Sequence, residues 1–175
     1  FLQHKFAAIC MHPDEIACKG LWTKVFGDDE QFVDSFIMRY YSRNRMLTAE
    51  VEGHTAAMLH LLPFRTELGR TTYIYGVATD PAFQGRGLAS QLMREAMRLI
   101  GARGDDAAFL IPTPGKEWLR DFYGRFGFEG ALPAEFISPA RIDFGTGKAE
   151  PTQAMVWRRN PEAALPEKLT ATYGE

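Results

Sequence analysis

A chain of 175 residues, 46% of them hydrophobic, can bury one substantial core and falls within the usual size of a single domain. A formal net charge of -2 leaves no global basic field, which argues against a nucleic-acid partner, and no apolar run is long enough to span a membrane. The two cysteines, Cys10 and Cys18, lack the neighbours a four-ligand metal site needs; they read as free thiols, with no metal expected and a reducing, cytoplasmic location.

In chain order, the first pattern runs from Pro13 to Phe26. Ile16, Ala17, Leu21, Trp22, Val25 and Phe26 recur at helical spacing, with Asp14 and Glu15 where a first turn prefers negative charge. Gly27 breaks this helix. Phe32, Phe36, Ile37, Tyr40 and Tyr41 mark a second amphipathic helix, which Asp28 or Asp29 is placed to cap. Met46 to Glu52 and His54 to Phe64 read as strands joined at Glu52-Gly53, followed by a third strand from Thr71 to Thr79, giving an antiparallel meander.

The junction that follows is the most informative stretch of the chain. Gln84-Gly85-Arg86-Gly87-Leu88-Ala89 lies between that strand and a helix whose apolar face is Leu88, Leu92, Met93, Ala96, Leu99 and Ile100. Two glycines free the backbone, and a helix start offers unpaired N–H groups with a dipole that favours anions, so a phosphorylated ligand is expected. A Walker loop is excluded because Leu88-Ala89 stands where Lys-Ser or Lys-Thr belongs, and the three-glycine dinucleotide fingerprint is absent.

Ala107 to Ile111 reads as a short buried strand, and Trp118, Leu119, Phe122, Tyr123 and Phe126 as the stripe of a further helix. A Pro- and Gly-rich excursion from Pro133 to Pro151 is expected to be a broken strand pair with a long loop or a lid. Ala154 to Trp157 is the last expected strand. The domain is read as residues 1–160, and 161–175, with Pro161 and Pro166, as a peripheral tail.

Gln84, Gly87 and Ala89 occupy the fixed positions of a Gln/Arg-x-x-Gly-x-Gly/Ala loop, and Tyr123-Gly124-Arg125-Phe126-Gly127-Phe128 stands downstream as a Tyr-x-x-x-Gly-Phe helix end. In this order the chain resembles the GNAT superfamily of acyl-CoA N-acyltransferases. The resemblance implies a mixed α/β fold in which a central, mostly antiparallel sheet is flanked by helices and splayed strands hold acyl-CoA. It implies acetyl-CoA as co-substrate and transfer of its acetyl group to a primary amine, on a small molecule or on a protein.

By the same resemblance, Val77, Ala78 and Thr79 hold the pantetheine arm as an added strand would. The backbone near Val77 polarises the thioester carbonyl. Gln84, Gly85, Arg86, Gly87, Leu88 and Ala89 receive the pyrophosphate. Tyr123 protonates the leaving thiolate, which suits a phenol because its ordinary pKa of about 10 keeps it protonated at neutral pH. Val77 and Ala78 can also be ordinary sheet residues, Arg86 a solvated cation and Tyr123 a packed aromatic.

Two positions depart from the family pattern. Lys116 stands where many members carry an Asn that touches CoA, and Tyr73 stands where some carry a catalytic Glu, with Tyr75 two residues on. No carboxylate base is assigned. His60, in an apolar strand, reads as a core or rim histidine with proton acceptor as the alternative, His54 as solvated beside a turn, and Asp80 as a turn former with Pro81. The missing carboxylate leaves a rival reading, a non-catalytic acyl-CoA-binding regulatory module, and a homodimer stays open.

Overall fold

The computed structural model describes residues 8–10, 15–40, 45–137 and 153–174. Its elements are β1 (Ala8–Cys10), α1 (Glu15–Phe26), α2 (Glu30–Tyr40), β2 (Met46–Val51), β3 (His54–Thr66), β4 (Gly69–Thr79), α3 (Leu88–Arg103), β5 (Ala107–Leu110), α4 (Trp118–Gly124), β6 (Glu129–Ile137), β7 (Gln153–Arg158) and β8 (Leu169–Tyr173). The fold is the expected mixed α/β one, a mostly antiparallel sheet with helices. It divides into two compact units, one of residues 1–61 and 76–96 and one of residues 62–75 and 97–175, with β3, β4 and α3 passing through both.

In the first unit β1, β2 and β3 run antiparallel, Leu47 opposite Leu59 and Ala49 opposite Ala57. Glu52 and Gly53 both take positive φ, 53° and 79°, as a two-residue turn between strands of right-handed twist requires. Asp29, not Asp28, caps α2: its Oδ1 accepts from the N–H of Phe32 at 2.8 Å. Asp28 instead accepts from Trp22 Nε1 at 2.8 Å, tying α1 to the turn that follows it.

The stripe expected on α1 is rotated. Its buried residues are Cys18, Leu21 and Trp22, while Ile16 is 80% exposed and Phe26 39%. Positions 18, 21 and 22 share a face from which a residue two places before Cys18 points away, so Ile16 and Cys18 cannot both face the core. On α2, Val33, Phe36, Ile37 and Tyr40 are buried; the expected Tyr41 lies outside the described residues.

In the second unit β4 pairs parallel with β5 only from Thr71–Ala107 to Tyr73–Phe109, so this ladder stops well short of the end of β4. Antiparallel β5–β7 and β6–β7 pairs follow, and β8 pairs with β6 in parallel and with β3 in antiparallel fashion, Phe64 opposite Tyr173. The strand order β3-β4-β5-β7-β6-β8, with β8 back on β3, is a closed cycle. Phe64, Tyr73, Phe109 and Phe136 pack together in this unit, Tyr73 stacked on Phe109 with ring centres 4.5 Å apart.

The segment 161–175 is therefore more than a peripheral tail. Leu169 and Ala171 of β8 are fully buried. Pro133 to Ile137, expected within an irregular excursion, belongs to β6; residues 138–152 lie outside the described ones.

α3 keeps its expected stripe, with Leu88, Leu92, Met93, Ala96 and Ile100 buried. It ends on Gly104 at φ 75°, where Gly104 N–H donates to the Gly101 carbonyl and Asp105 N–H to that of Ile100. Asp105 is itself buried, accepts from the Thr72 hydroxyl at 2.6 Å and forms an ion pair with Arg70, whose Nε lies 3.3 Å away, pinning the start of β4 beside β5. Replacing Asp105 with Ala leaves the Thr72 hydroxyl buried without that acceptor, at an expected cost of about 2 kcal/mol, read as a lower urea midpoint at unchanged slope.

Candidate functional site

Val77, Ala78 and Thr79 close β4. Ala78 is buried, while Val77 and Thr79 are half-buried. Immediately before them Gly76 sits at φ 63° inside the strand. Glycine is the residue that takes such a φ readily, and the turn it makes alters the direction of the next N–H group, that of Val77. Sequence reasoning treated this stretch as regular strand; the available signal was an isolated glycine in a strand pattern.

Beyond Thr79 the chain turns sharply. Asp80 caps a 3₁₀ turn over Pro81–Phe83, accepting from Ala82 N–H at 2.9 Å, and its own N–H donates to the Ala56 carbonyl of β3 at 2.8 Å. Lys24 lies 2.8 Å from its other carboxylate oxygen; this hydrogen bond, then that of Ala82, holds the Asp80 pKa below the ordinary value. Asp80 is thus a turn former, as its place before Pro81 suggests.

Gln84 is extended, and Gly85 and Gly87 follow at φ 77° and 75°. Nothing lies within 4 Å of where a Cβ would project from either glycine, so the loop leaves open space beside its backbone. Gln84, Gly85, Arg86 and Gly87 are exposed. The Gly87 carbonyl accepts from Gln91 N–H at 3.0 Å as the first hydrogen bond of α3, so the N–H groups of Leu88, Ala89 and Ser90 fall in a first turn that has no intrahelical acceptors for them. That turn holds no acidic residue. Arg86 lies over the Phe83 ring, 5.1 Å from its centre, which adds a cation to a site already suited to anions.

The expected site residues from Val77 to Ala89 thus share one strand–loop–helix junction in the first unit. Tyr123 belongs to the second unit, on α4. It is 7% exposed, its ring packed edge-on to Phe122 and Phe128. Burial pushes its pKa up to about 12. Since the unfolded phenol titrates near 10, the unfolded chain sheds this proton first, so the contribution is whole below pH 10 and is lost as pH rises towards 12. Relative to a Tyr123→Phe variant, the protein should lose about 2 to 3 kcal/mol over that window, measured by urea unfolding at pH 9 and above.

Tyr73 offers no base. It is buried against Phe109, and burial, with smaller contributions from Tyr75 and Tyr123, drives its pKa well above that of an ordinary phenol. Lys116 precedes α4 as an exposed residue whose carbonyl accepts from Leu119 N–H at 3.0 Å. His60 is 1% exposed and lies in the first unit between Trp22 and Phe36, with ring centres 5.4 and 5.2 Å away, a core position as expected. His54 is exposed. Among the described residues no helix is long and apolar enough to cross a membrane, and no cluster of His, Cys, Asp and Glu gathers to hold a metal.

The sequence matches the model of the acetyltransferase (GNAT) domain over residues 12–131. Among solved structures, the GNAT family N-acetyltransferase YhbS from Escherichia coli in complex with CoA is similar, at 20% identity over 97% of this chain and 90% of that one, with a TM-score of 0.67. A GNAT family acetyltransferase from Brucella melitensis in complex with acetyl-CoA shares 16% identity over 98% and 97%, with a TM-score of 0.64. The PaiA N-acetyltransferase from Thermoplasma acidophilum in complex with coenzyme A shares 12% over 87% and 98%, at 0.57. No curated protein matches the sequence. At such identities the structures speak for the fold, while the domain match spans more than half of the chain: the protein belongs to the GNAT acetyltransferase family.

Proposed function

We propose that the protein transfers the acetyl group of acetyl-CoA to a primary amine. The observation that carries this reading is the loop at the head of α3, where Gly85 and Gly87 take positive φ, open space flanks both, and no acid occupies the first turn. These features fit a pyrophosphate held by backbone N–H groups from Gly85 to Ala89, with Gln84 and Arg86 at its edge. Val77, Ala78 and Thr79 offer strand backbone to the pantetheine arm. The co-substrate supplies an activated acyl thioester.

Val77 N–H, redirected by the positive φ of Gly76, donates to the thioester carbonyl oxygen and stabilises the charge that develops there. Tyr123, protonated at neutral pH because its pKa lies near 12, donates to the departing sulfur. In the net reaction the amine nitrogen bonds the acetyl carbon, the carbon–sulfur bond breaks, and the proton lost by nitrogen balances the one gained by sulfur. Since Tyr73 is a buried neutral phenol, the amine proton leaves through water rather than to that side chain.

Calorimetric titration with acetyl-CoA and CoA, followed by release of free thiol in the presence of a panel of small amines and amine-bearing peptides, tests the reading. Saturable binding with amine-dependent thiol release supports it. Binding with no turnover on any amine favours an acyl-CoA-binding regulatory module, and no binding removes the proposed co-substrate.

A further inference from the structure

A glycine permits a positive φ without enforcing it, because its backbone moves as readily into other regions of φ and ψ. The direction of Val77 N–H therefore has to be held by something outside Gly76. Two buried rings meet the face of Gly76 on which a side chain would stand: a Cβ built there falls 3.1 Å from His60 Nδ1 and 3.5 and 3.6 Å from Trp22 Cζ3 and Cη2. Both rings are fixed from behind. Trp22 is held through Nε1 by Asp28 and packed by Phe26, Phe32 and Phe36, and His60 is wedged between Trp22 and Phe36.

We propose that Trp22 and His60 form a flat wedge that fixes the positive-φ backbone of Gly76 and so aims Val77 N–H at the acyl carbonyl, which makes both of them positioning residues for the transfer. The role rests on the reading of the site given above. It assigns His60 a task of shape: a flat ring of similar size in its place serves, and a small side chain leaves a gap into which the Gly76 backbone relaxes. The wedge lies wholly within the first unit and acts through the peptide between Gly76 and Val77.

The test separates carbonyl recognition from cofactor binding, because CoA shares every part of acetyl-CoA except the acyl group. For His60→Ala, acetyl-CoA affinity and kcat should each fall roughly tenfold, a fraction of the loss seen when a whole oxyanion donor is removed, while CoA affinity holds. The infrared band of ¹³C-labelled thioester carbonyl should move back towards its position in water. His60→Phe should restore all three readouts. In the protein without ligand, amide resonances of Gly76 and Val77 should broaden or shift in His60→Ala and return in His60→Phe.

Should His60→Ala fail to fold, Asp28→Ala, which releases the far end of Trp22, should give the same pattern at smaller amplitude. Equal weakening of acetyl-CoA and CoA, an unmoved carbonyl band, or a His60→Phe variant as impaired as His60→Ala overturns the wedge. Absence of acetyl-CoA binding by the wild-type protein overturns the reading of the site and the positioning role with it. Unchanged Gly76 and Val77 resonances in His60→Ala overturn the wedge alone.

Discussion

A Gly87→Glu variant should bind acetyl-CoA and CoA at least a hundredfold more weakly than the wild-type protein while melting within a few degrees of it. Gly87 sits at φ 75°, a region that costs an ordinary residue about 1–2 kcal/mol, so some destabilisation is expected. A carboxylate at a helix N-terminus returns about 0.3–1 kcal/mol through the dipole, and no atom lies within 4 Å of the new Cβ to clash. The fold therefore survives. The same carboxylate brings negative charge to the first turn of α3, and a pyrophosphate arriving there meets repulsion instead of open N–H groups. A Gly87→Ala control carries the backbone strain without the charge, and calorimetry on the pair assigns the loss to charge if Ala weakens binding by much less than Glu.

Tyr123→Phe should lower kcat by roughly a hundredfold and leave the affinity for acetyl-CoA near its wild-type value, the signature of an interaction made chiefly as sulfur departs. The substitution removes one hydroxyl and keeps the ring contacts with Phe122 and Phe128, so stability at neutral pH should change little. With the phenol pKa near 12, the wild-type rate should show no fall owing to Tyr123 between pH 7 and pH 10. A rate unchanged by the substitution, measured by thiol release with the best amine, removes Tyr123 from the chemistry and returns it to packing.

The junction from Val77 to Ala89 was legible in the sequence because its signals are local: glycine spacing, an apolar helix stripe beginning at Leu88, and a proline after Asp80 are each read within a few residues. The positive φ of Gly76 and the burial of Tyr73 are not local. The backbone of Gly76 lies against Trp22 and His60, which come from other elements, and Tyr73 becomes a core phenol through Phe109. Ile16 misled for a related reason: an apolar residue at helical spacing fits more than one stripe, and the face of α1 that turns inward carries Trp22, packed on Phe32 and Phe36 from the next helix and tied to Asp28. β8 was missed because Pro161 and Pro166 suggest a loose segment, whereas the strand after them finds partners far back in the chain, at Phe64 and Arg65.

That return of β8 to β3 has a consequence for how quickly the protein reaches its native state. The second unit completes its cycle of strands only when Tyr173 meets Phe64, after the intervening chain has laid down β4, β5, β6 and β7. Closing this span costs entropy before the β3–β8 pairing repays it, so the closure should slow folding. Until it occurs, the edges of β3 and β6 stand open and can pair with another chain, so refolding at high protein concentration should favour association over recovery.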